Sequence, residues 1–142
     1  MSDIFELDPR LAAGTFSVGS TSLSRVLLMN DARFPWIILV PAREGVSEPF
    51  QLALSEQEAL WRESMVLAKA LKRYFEADKL NIAALGNQVS QLHVHHIVRF
   101  RNDDAWPGPV WGVGSTVTYT EAAAEALMDD LRRVLREPLA LR

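Results

Sequence analysis

The three histidines of the chain fall within four positions of one short segment, QLHVHHIVRF, at residues 91–100. Apolar and polar side chains alternate along most of this segment, which is the pattern of a β-strand with two different faces. One face carries apolar side chains that are candidates for the core, namely Leu92, Val94, Val98 and Phe100. The other face carries Gln91, His93, His95, Ile97 and Arg99. The segment therefore predicts a strand with one face in the core and a second face that carries most of the polar side chains.

His96 departs from this alternation, because it lies on the apolar face where Leu or Ile would be expected. We interpret it as a core or interface histidine. His93 and His95 share the polar face, roughly 7 Å apart along the strand, with Gln91 before them and Arg99 after them. Imidazole can donate, accept or attack, and amide and guanidinium groups supply hydrogen-bond donors, so this face suits a phosphate group.

The rest of the chain predicts strands before and after one long helix. Apolar runs bounded by turn-forming residues predict two neighbouring strands at 24–30 and 36–41, with a weaker strand at 14–20. A fourth predicted strand, 80–85, precedes the histidine segment and is separated from it by a turn at Gly86-Asn87.

Two segments predict helices. Ser55 and Glu58 have the spacing of a capping box. Apolar residues recur after it at helical spacing, at Leu60, Trp61, Met65, Leu67, Ala68, Leu71 and Phe75. Thr120 is the predicted N-cap of a second helix that Pro138 ends, and 101–119 is predicted to be an ordered loop. The order of elements predicts one α+β domain over 1–142, with a mainly antiparallel sheet, a central helix and a C-terminal helix.

Composition excludes several classes of function. The chain has no cysteine, so it has no disulfide, thiolate metal site or thiol nucleophile. A formal charge of −3 argues against a nucleic-acid polymer as partner, although a small phosphorylated ligand needs only a few local donors. No apolar run reaches the ~18–20 residues of a membrane span, and the N-terminus lacks a signal pattern, so no membrane partner and a cytoplasmic location are expected.

The histidine segment resembles the signature of the histidine-triad (HIT) family, His-φ-His-φ-His-φ-φ, in which φ is apolar. Gln91 takes the place of the first histidine, His93 matches the central one and His95 the third. The upstream GNQV (86–89) resembles the family's lead-in, and LLMNDARFPWIILVPAR (27–43) resembles its paired strands. The likeness covers most of 14–101 and implies a HIT-like domain.

The resemblance also implies an activity, hydrolysis or transfer at the α-phosphate of a small-molecule nucleotide. Dinucleoside polyphosphates and nucleoside phosphoramidates are the candidate substrates. His93 would attack the phosphorus and form a nucleotidyl-histidine while an acceptor holds its other nitrogen, and His95 and Gln91 would stabilise charge on the phosphate and the leaving group. The family's chemistry needs no redox cofactor and no mandatory metal ion, and the family implies a homodimer.

Further contacts to the substrate are predicted for three residues. Asn30 would hold the ribose hydroxyls, and Gln88 would contact the phosphate, as the resemblance implies. Arg99 is a candidate phosphate contact because it shares the polar face. The loop AWPGPVW (105–111) is most simply a rigid loop, and a binding role for Trp106 or Trp111 stays open.

The sequence leaves two alternative functions open. Replacement of the first histidine by Gln91 could leave a module that binds a nucleotide and turns little over. Alternatively, His93 and His95 could bind a metal ion, with a third ligand from His96, Asp103 or Asp104.

Overall fold

The computed structural model describes residues 4–142, and it confirms the predicted α+β class. Five strands form one sheet in the order β1-β2-β3-β5-β4, and every neighbouring pair is antiparallel. The strands are β1 (Thr15–Ser20), β2 (Ser24–Met29), β3 (Trp36–Pro41), β4 (Lys79–Ala83) and β5 (Val94–Arg99). The histidine strand thus lies inside the sheet, between β3 and β4.

Three α-helices accompany the sheet: α1 (Pro9–Ala13), α2 (Leu54–Phe75) and α3 (Glu121–Leu135). The N-cap of α3 is Thr120, as predicted, and its hydroxyl accepts from the backbone N–H of Ala123. Helix α1 was not predicted, because five residues are too few to show a period. It begins after Asp8, whose carboxylate accepts from the Arg10 N–H.

The predicted capping box of α2 is wrong. The helix begins at Leu54, with extended Ala53 as its N-cap, and Glu56 rather than Glu58 reaches back to accept from the Ala53 N–H. Trp61 was placed on the buried stripe, but its side chain is 63% exposed. The helix instead buries the positions Leu60, Ser64, Leu67 and Leu71. Trp61 follows Leu60 by about 100° around the helix axis, which turns it to the surface.

The two faces of the sheet pack against different layers. On one face, α2 packs on β5 and α3 on β1, over a core that contains Val94 and Val98. On the other face, Ile97 joins a smaller core that includes Leu11 of α1 and Val110 of the loop after β5. The predicted alternation is therefore confirmed, although β5 begins at Val94 and not at Gln91. Within the described residues, no helix is both long enough and apolar enough to cross a membrane.

Candidate active site

A cavity of about 710 Å³ opens on the face of the sheet that α1 and the 110–116 loop cover. Its floor is formed by side chains of the sheet and of the segment leading into β5, and these include both predicted site histidines. The lining residues used below are Arg10, Leu11, Met29, Asp31, Arg33, Trp36, Gln88, His93, His95, Val110, Trp111 and Val113. Other lining residues come from a helix near the N-terminus and from a loop about 100 positions later. The cavity therefore forms only in the folded chain.

His93 lies directly before β5, and one of its ring nitrogens is held by the main chain. Its Nδ1 lies 2.7 Å from the carbonyl oxygen of Gln91. Because a carbonyl oxygen can only accept, the proton of the neutral ring is on Nδ1 and the lone pair is on Nε2. The side chain lines the cavity but is only 7% exposed. The backbone therefore fixes the tautomer in which Nε2 can act as a nucleophile.

His95 is held in the opposite tautomer. The indole Nε1–H of Trp36 donates to His95 Nδ1 over 2.9 Å. An indole nitrogen donates only, so Nδ1 must be the bare nitrogen and Nε2 must carry the proton. Burial, with added repulsion from His93 and His96, lowers the pKa of His95 to about 3. His95 is therefore a neutral hydrogen-bond donor at every physiological pH.

Aromatic rings enclose His95 edge to face. The centroid of its ring lies 4.8 Å from that of His93, 5.1 Å from that of Trp111 and 5.6 Å from that of Trp36. Trp36 and Trp111 themselves contact at 90°, with centroids 5.7 Å apart. Such packing excludes water from the imidazole, which is the physical cause of its low pKa.

Two arginines that line the cavity, Arg33 and Arg10, are each held in an ion pair. Arg33 binds Asp31 through two parallel N–H donors, at 3.0 and 2.8 Å, and its third nitrogen donates to the Val113 carbonyl. Burial opposes ionisation of Asp31, but the hydrogen bonds from Arg33 outweigh it and lower the pKa of the carboxyl group. Arg10 pairs with Asp8 and donates to the carbonyl of Gln88. Each arginine thus joins one wall to a neighbouring loop.

The structure gives Gln91 a different surrounding from the predicted one. Its Oε1 accepts from the N–H of Asp8 at 2.8 Å, and its Nε2 donates to the carbonyl of Glu6 at 2.9 Å. Both ends of the amide are therefore engaged by the N-terminal segment, residues 4–8. The side chain is not part of the cavity wall. The chain therefore uses this glutamine side chain to hold its own N-terminal segment.

The remaining predicted contacts divide between inside and outside the cavity. Gln88 lines it. Asn30 does not, and its Oδ1 accepts from the N–H of Tyr119, whereas the next residue, Asp31, does line it. Arg99 is 1% exposed and lies outside the cavity, where it binds Asp103 with two N–H donors. The buried pair satisfies both charges, so Arg99 has an internal partner in place of a phosphate.

The two tryptophans of the 105–111 loop contact different residues. Trp111 lies in the cavity wall against His95, whereas Trp106 lies over the guanidinium of Arg99, 5.7 Å from its central carbon. His96 is in the core, as predicted: it is fully buried, Ser64 of α2 lies 2.7 Å from its Nε2, and its Nδ1 faces the Ile37 carbonyl at 3.3 Å.

The arrangement does not provide the ligands of a metal site. Within residues 4–142, no three His, Asp or Glu side chains converge closely enough to hold an ion. His96 points to the opposite face of the strand, and Asp103 is engaged by Arg99. A pair of imidazoles with fixed, opposite tautomers suits phosphate chemistry better, because one offers a lone pair and the other a proton.

Sequence reasoning missed Arg10, Asp31, Arg33 and Trp36 as parts of the site. Asp31 was adjacent to a predicted contact, and one signal could have found Arg10, since Asp8-Pro9 is a helix start. The role of Trp36 had no local signal, because its partner is 59 positions away.

Comparison with known proteins gives consistent matches. The family model described as HIT domain matches residues 11–102. A solved histidine triad protein from Marinobacter aquaeolei is 46% identical, with a TM-score of 0.92 over 94% of this chain and 98% of the other. Histidine triad proteins from Bradyrhizobium japonicum and Sinorhizobium meliloti are 43% and 42% identical, with TM-scores of 0.88 and 0.89. They cover 91% and 92% of this chain and 96% and 97% of their own. No curated protein matches the chain.

Proposed function

The chain belongs to the HIT domain family, and on this premise we propose that it binds a nucleotide and hydrolyses or transfers it at the α-phosphate. One observation carries the proposal: the Gln91 carbonyl holds the Nδ1 proton of His93, so the nitrogen left with a lone pair belongs to a ring that lines the cavity. Dinucleoside polyphosphates and nucleoside phosphoramidates are the candidate substrates.

The proposed reaction has two displacements at phosphorus. His93 Nε2 forms a bond to the α-phosphorus while the bond to the leaving group breaks, which gives a nucleotidyl-histidine. The intermediate is cationic at the imidazole, and the Gln91 carbonyl stabilises it through Nδ1–H. Water or another acceptor nucleophile then attacks the phosphorus and loses a proton to the solvent, the P–N bond breaks, and the imidazole regains its lone pair.

Other cavity residues have complementary roles in this proposal. His95 Nε2–H and the amide of Gln88 would donate to phosphate oxygens. We assign the ribose hydroxyls to Asp31 rather than Asn30, because the carboxylate lines the cavity and can accept from both. We assign no direct contact with the substrate to Gln91 or Arg99, because Gln91 binds the Asp8 backbone and Arg99 binds Asp103.

The apolar part of the cavity would take the nucleobase. It combines flat and flexible side chains from three elements: Leu11, Met29, Val110 and Trp111. Such a surface buries an aromatic base without reading its edge, so it supports binding more than selection among bases.

We also propose that the protein is a homodimer. Strand β4 is an edge of the sheet, with unpaired backbone groups and Ile82 39% exposed. An open groove beside it is lined by Met65, Ala68 and Leu80. A second copy would cover both features. Sedimentation at micromolar concentration would give the dimer mass, and a monomer throughout would contradict the proposal.

Product analysis tests the activity. The protein is mixed with diadenosine tetraphosphate and, separately, with adenosine 5′-phosphoramidate, and released AMP is measured by chromatography. We expect AMP from wild-type protein and none from His93→Ala. A matched control, His96→Gln, removes an imidazole three positions later, on the opposite face, and should keep turnover.

Two outcomes would contradict parts of the proposal. Turnover by folded His93→Ala at the wild-type rate would refute the assignment of the nucleophile. AMP binding without release of AMP from either substrate would favour the binding module instead, and the loss of an imidazole at position 91 is the feature that supports it. Circular dichroism of each variant separates loss of chemistry from loss of fold.

A further inference from the structure

The cavity has few groups that could give a proton to a departing group. In the described part of the chain, its titratable lining residues are Arg10, Asp31, Arg33, His93 and His95. Arginine does not release its proton, and Asp31 is held ionised by Arg33. His93 is committed as the nucleophile in the proposed function, on which this inference rests. His95 is the one remaining candidate for a general acid.

The surroundings of His95 oppose that role. The charged or titratable groups against it are His93 on the same face and His96 at the next position of β5, and both disfavour a second positive charge. Its partners in the sheet are Ile38 on β3 and Ala83 on β4, which carry no charge. The rings of Trp36 and Trp111 also pack against it, and neither carries a charge. Among the described residues, no carboxylate is hydrogen-bonded to His95, so none would stabilise its imidazolium form.

The hydrogen bond from Trp36 decides which proton His95 carries. Protonation of His95 to imidazolium would place a proton on Nδ1, where the indole N–H already points at 2.9 Å. Two N–H groups would then face each other in a site 4% exposed to water. Trp36 is itself held at the start of β3, where it is 5% exposed and pairs with Ile97 in the sheet. It acts through His95 and is therefore a positioning residue.

We propose that Trp36 keeps His95 as a neutral Nε2–H donor, so that the site lacks a general acid and prefers phosphoanhydrides to phosphoramidates. When an anhydride is cleaved, the His93 Nε2–P bond forms, the bridging P–O bond breaks, and the oxygen keeps the electron pair. The leaving nucleotide departs as a phosphate anion, which needs no proton at neutral pH. A hydrogen bond from His95 Nε2–H to an oxygen stabilises the developing charge.

Cleavage of a phosphoramidate, in contrast, requires a proton donor. When its P–N bond breaks, the nitrogen takes the electron pair and must receive a proton as it leaves, because an amide anion is far too basic to depart. His95 could supply that proton from Nε2 only by becoming an imidazolate or by being an imidazolium beforehand. Burial lowers its pKa to about 3, so the imidazolium form is scarce at pH 7.

The tautomer can be measured without any substrate. In full-length protein with ¹⁵N-labelled histidine, the NMR signals of His95, assigned by their loss in His95→Gln, should show a proton on Nε2 and a bare Nδ1 from pH 5 to 8. Trp36→Phe keeps an aromatic ring and removes the N–H, so we expect mixed tautomers and a titration at higher pH. Trp111→Phe, which alters a neighbouring ring without a bond to Nδ1, should keep the wild-type tautomer. An unchanged tautomer and titration in Trp36→Phe would overturn the role of Trp36.

Selectivity is measured by kcat/KM for the two substrates. General acid catalysis contributes about 10²–10⁴-fold, so wild-type protein should favour diadenosine tetraphosphate over adenosine 5′-phosphoramidate by about 10²-fold or more. Trp36→Phe should reduce that ratio at least about tenfold, since its His95 can accept a proton. Faster cleavage of the phosphoramidate by wild-type protein would overturn the inference and leave the proposed function standing. Absence of turnover with both substrates would refute the proposed function, and with it the claim of substrate preference.

Discussion

Acidification should destabilise the protein in a window set by two histidines. His95 and His96 are buried in neutral form, with pKa values lowered to about 3 and about 4, chiefly by burial. In the unfolded chain both would titrate near 6.5. Between these values the unfolded state binds more protons than the folded state, so the free energy of unfolding falls as pH falls through 6.5. Above pH 6.5 both histidines are neutral in the folded and the unfolded state, so this loss of stability is absent there.

The size of the effect follows from the pKa values. Between pH 6.5 and pH 5 the unfolded chain gains a proton at each histidine while the folded protein remains neutral at both. One pH unit corresponds to about 1.4 kcal/mol for each proton. Each histidine should therefore lower the free energy of unfolding by about 2 kcal/mol between pH 7 and pH 5. The two together should cost about 4 kcal/mol. Asp103, with a pKa lowered to about 2, stays ionised throughout this range.

Urea unfolding at half-unit intervals from pH 5 to pH 7 measures this dependence. His95→Gln and His96→Gln are matched controls, because glutamine keeps hydrogen-bonding groups and does not titrate. Each variant should show about half of the wild-type dependence of stability on pH. A change in its stability at pH 7 is a separate effect and does not alter that dependence. A total change below about 1 kcal/mol in the wild-type protein would refute the neutral burial of these rings.

Substitutions at two further positions, Ser64 and Gln91, test individual contacts. Ser64→Ala removes the hydroxyl that donates to His96 Nε2 in the core, and the unpaired acceptor should cost about 1–3 kcal/mol in urea unfolding at pH 7; unchanged stability would show that the contact contributes nothing. Gln91→Ala removes both side-chain bonds to Glu6 and Asp8, so the amide proton of Asp8 should exchange with solvent about tenfold faster or more. Gln91→Glu, which keeps an acceptor for that amide, should show a smaller effect, and equal exchange in all three proteins would contradict the role assigned to Gln91.

The parts of the fold that were predictable depend on short-range periodicity. Alternation placed His95 and His96 on opposite faces, and the structure agrees, because a strand's side chains alternate whatever its neighbours are. Helical spacing located α2 but misplaced its first residue, since the cap depends on which glutamate reaches back. Trp61 was misassigned because spacing shows a stripe only to within one residue on either side.

The polar residues of the histidine strand show the limit of the same reasoning. Arg99 lies on the face that was predicted, but Asp103 binds it, so its charge is satisfied before any ligand arrives. Gln91 lies outside β5, where its direction depends on the N-terminal segment. The face of a side chain follows from the sequence, whereas its partner depends on chain segments that meet only in three dimensions.

The distance along the chain between Trp36 and His95 has a consequence for folding. Strands β1, β2 and β3 are joined by short turns and can pair early, but β3 meets β5 only after 50 or more intervening residues, including α2, have been enclosed. Closing so long a loop is entropically costly and slow compared with forming local hairpins. The cavity is therefore assembled late, and a chain that has formed only its local structure has no site. Recovery of the His95 tautomer during refolding should coincide with the final cooperative step.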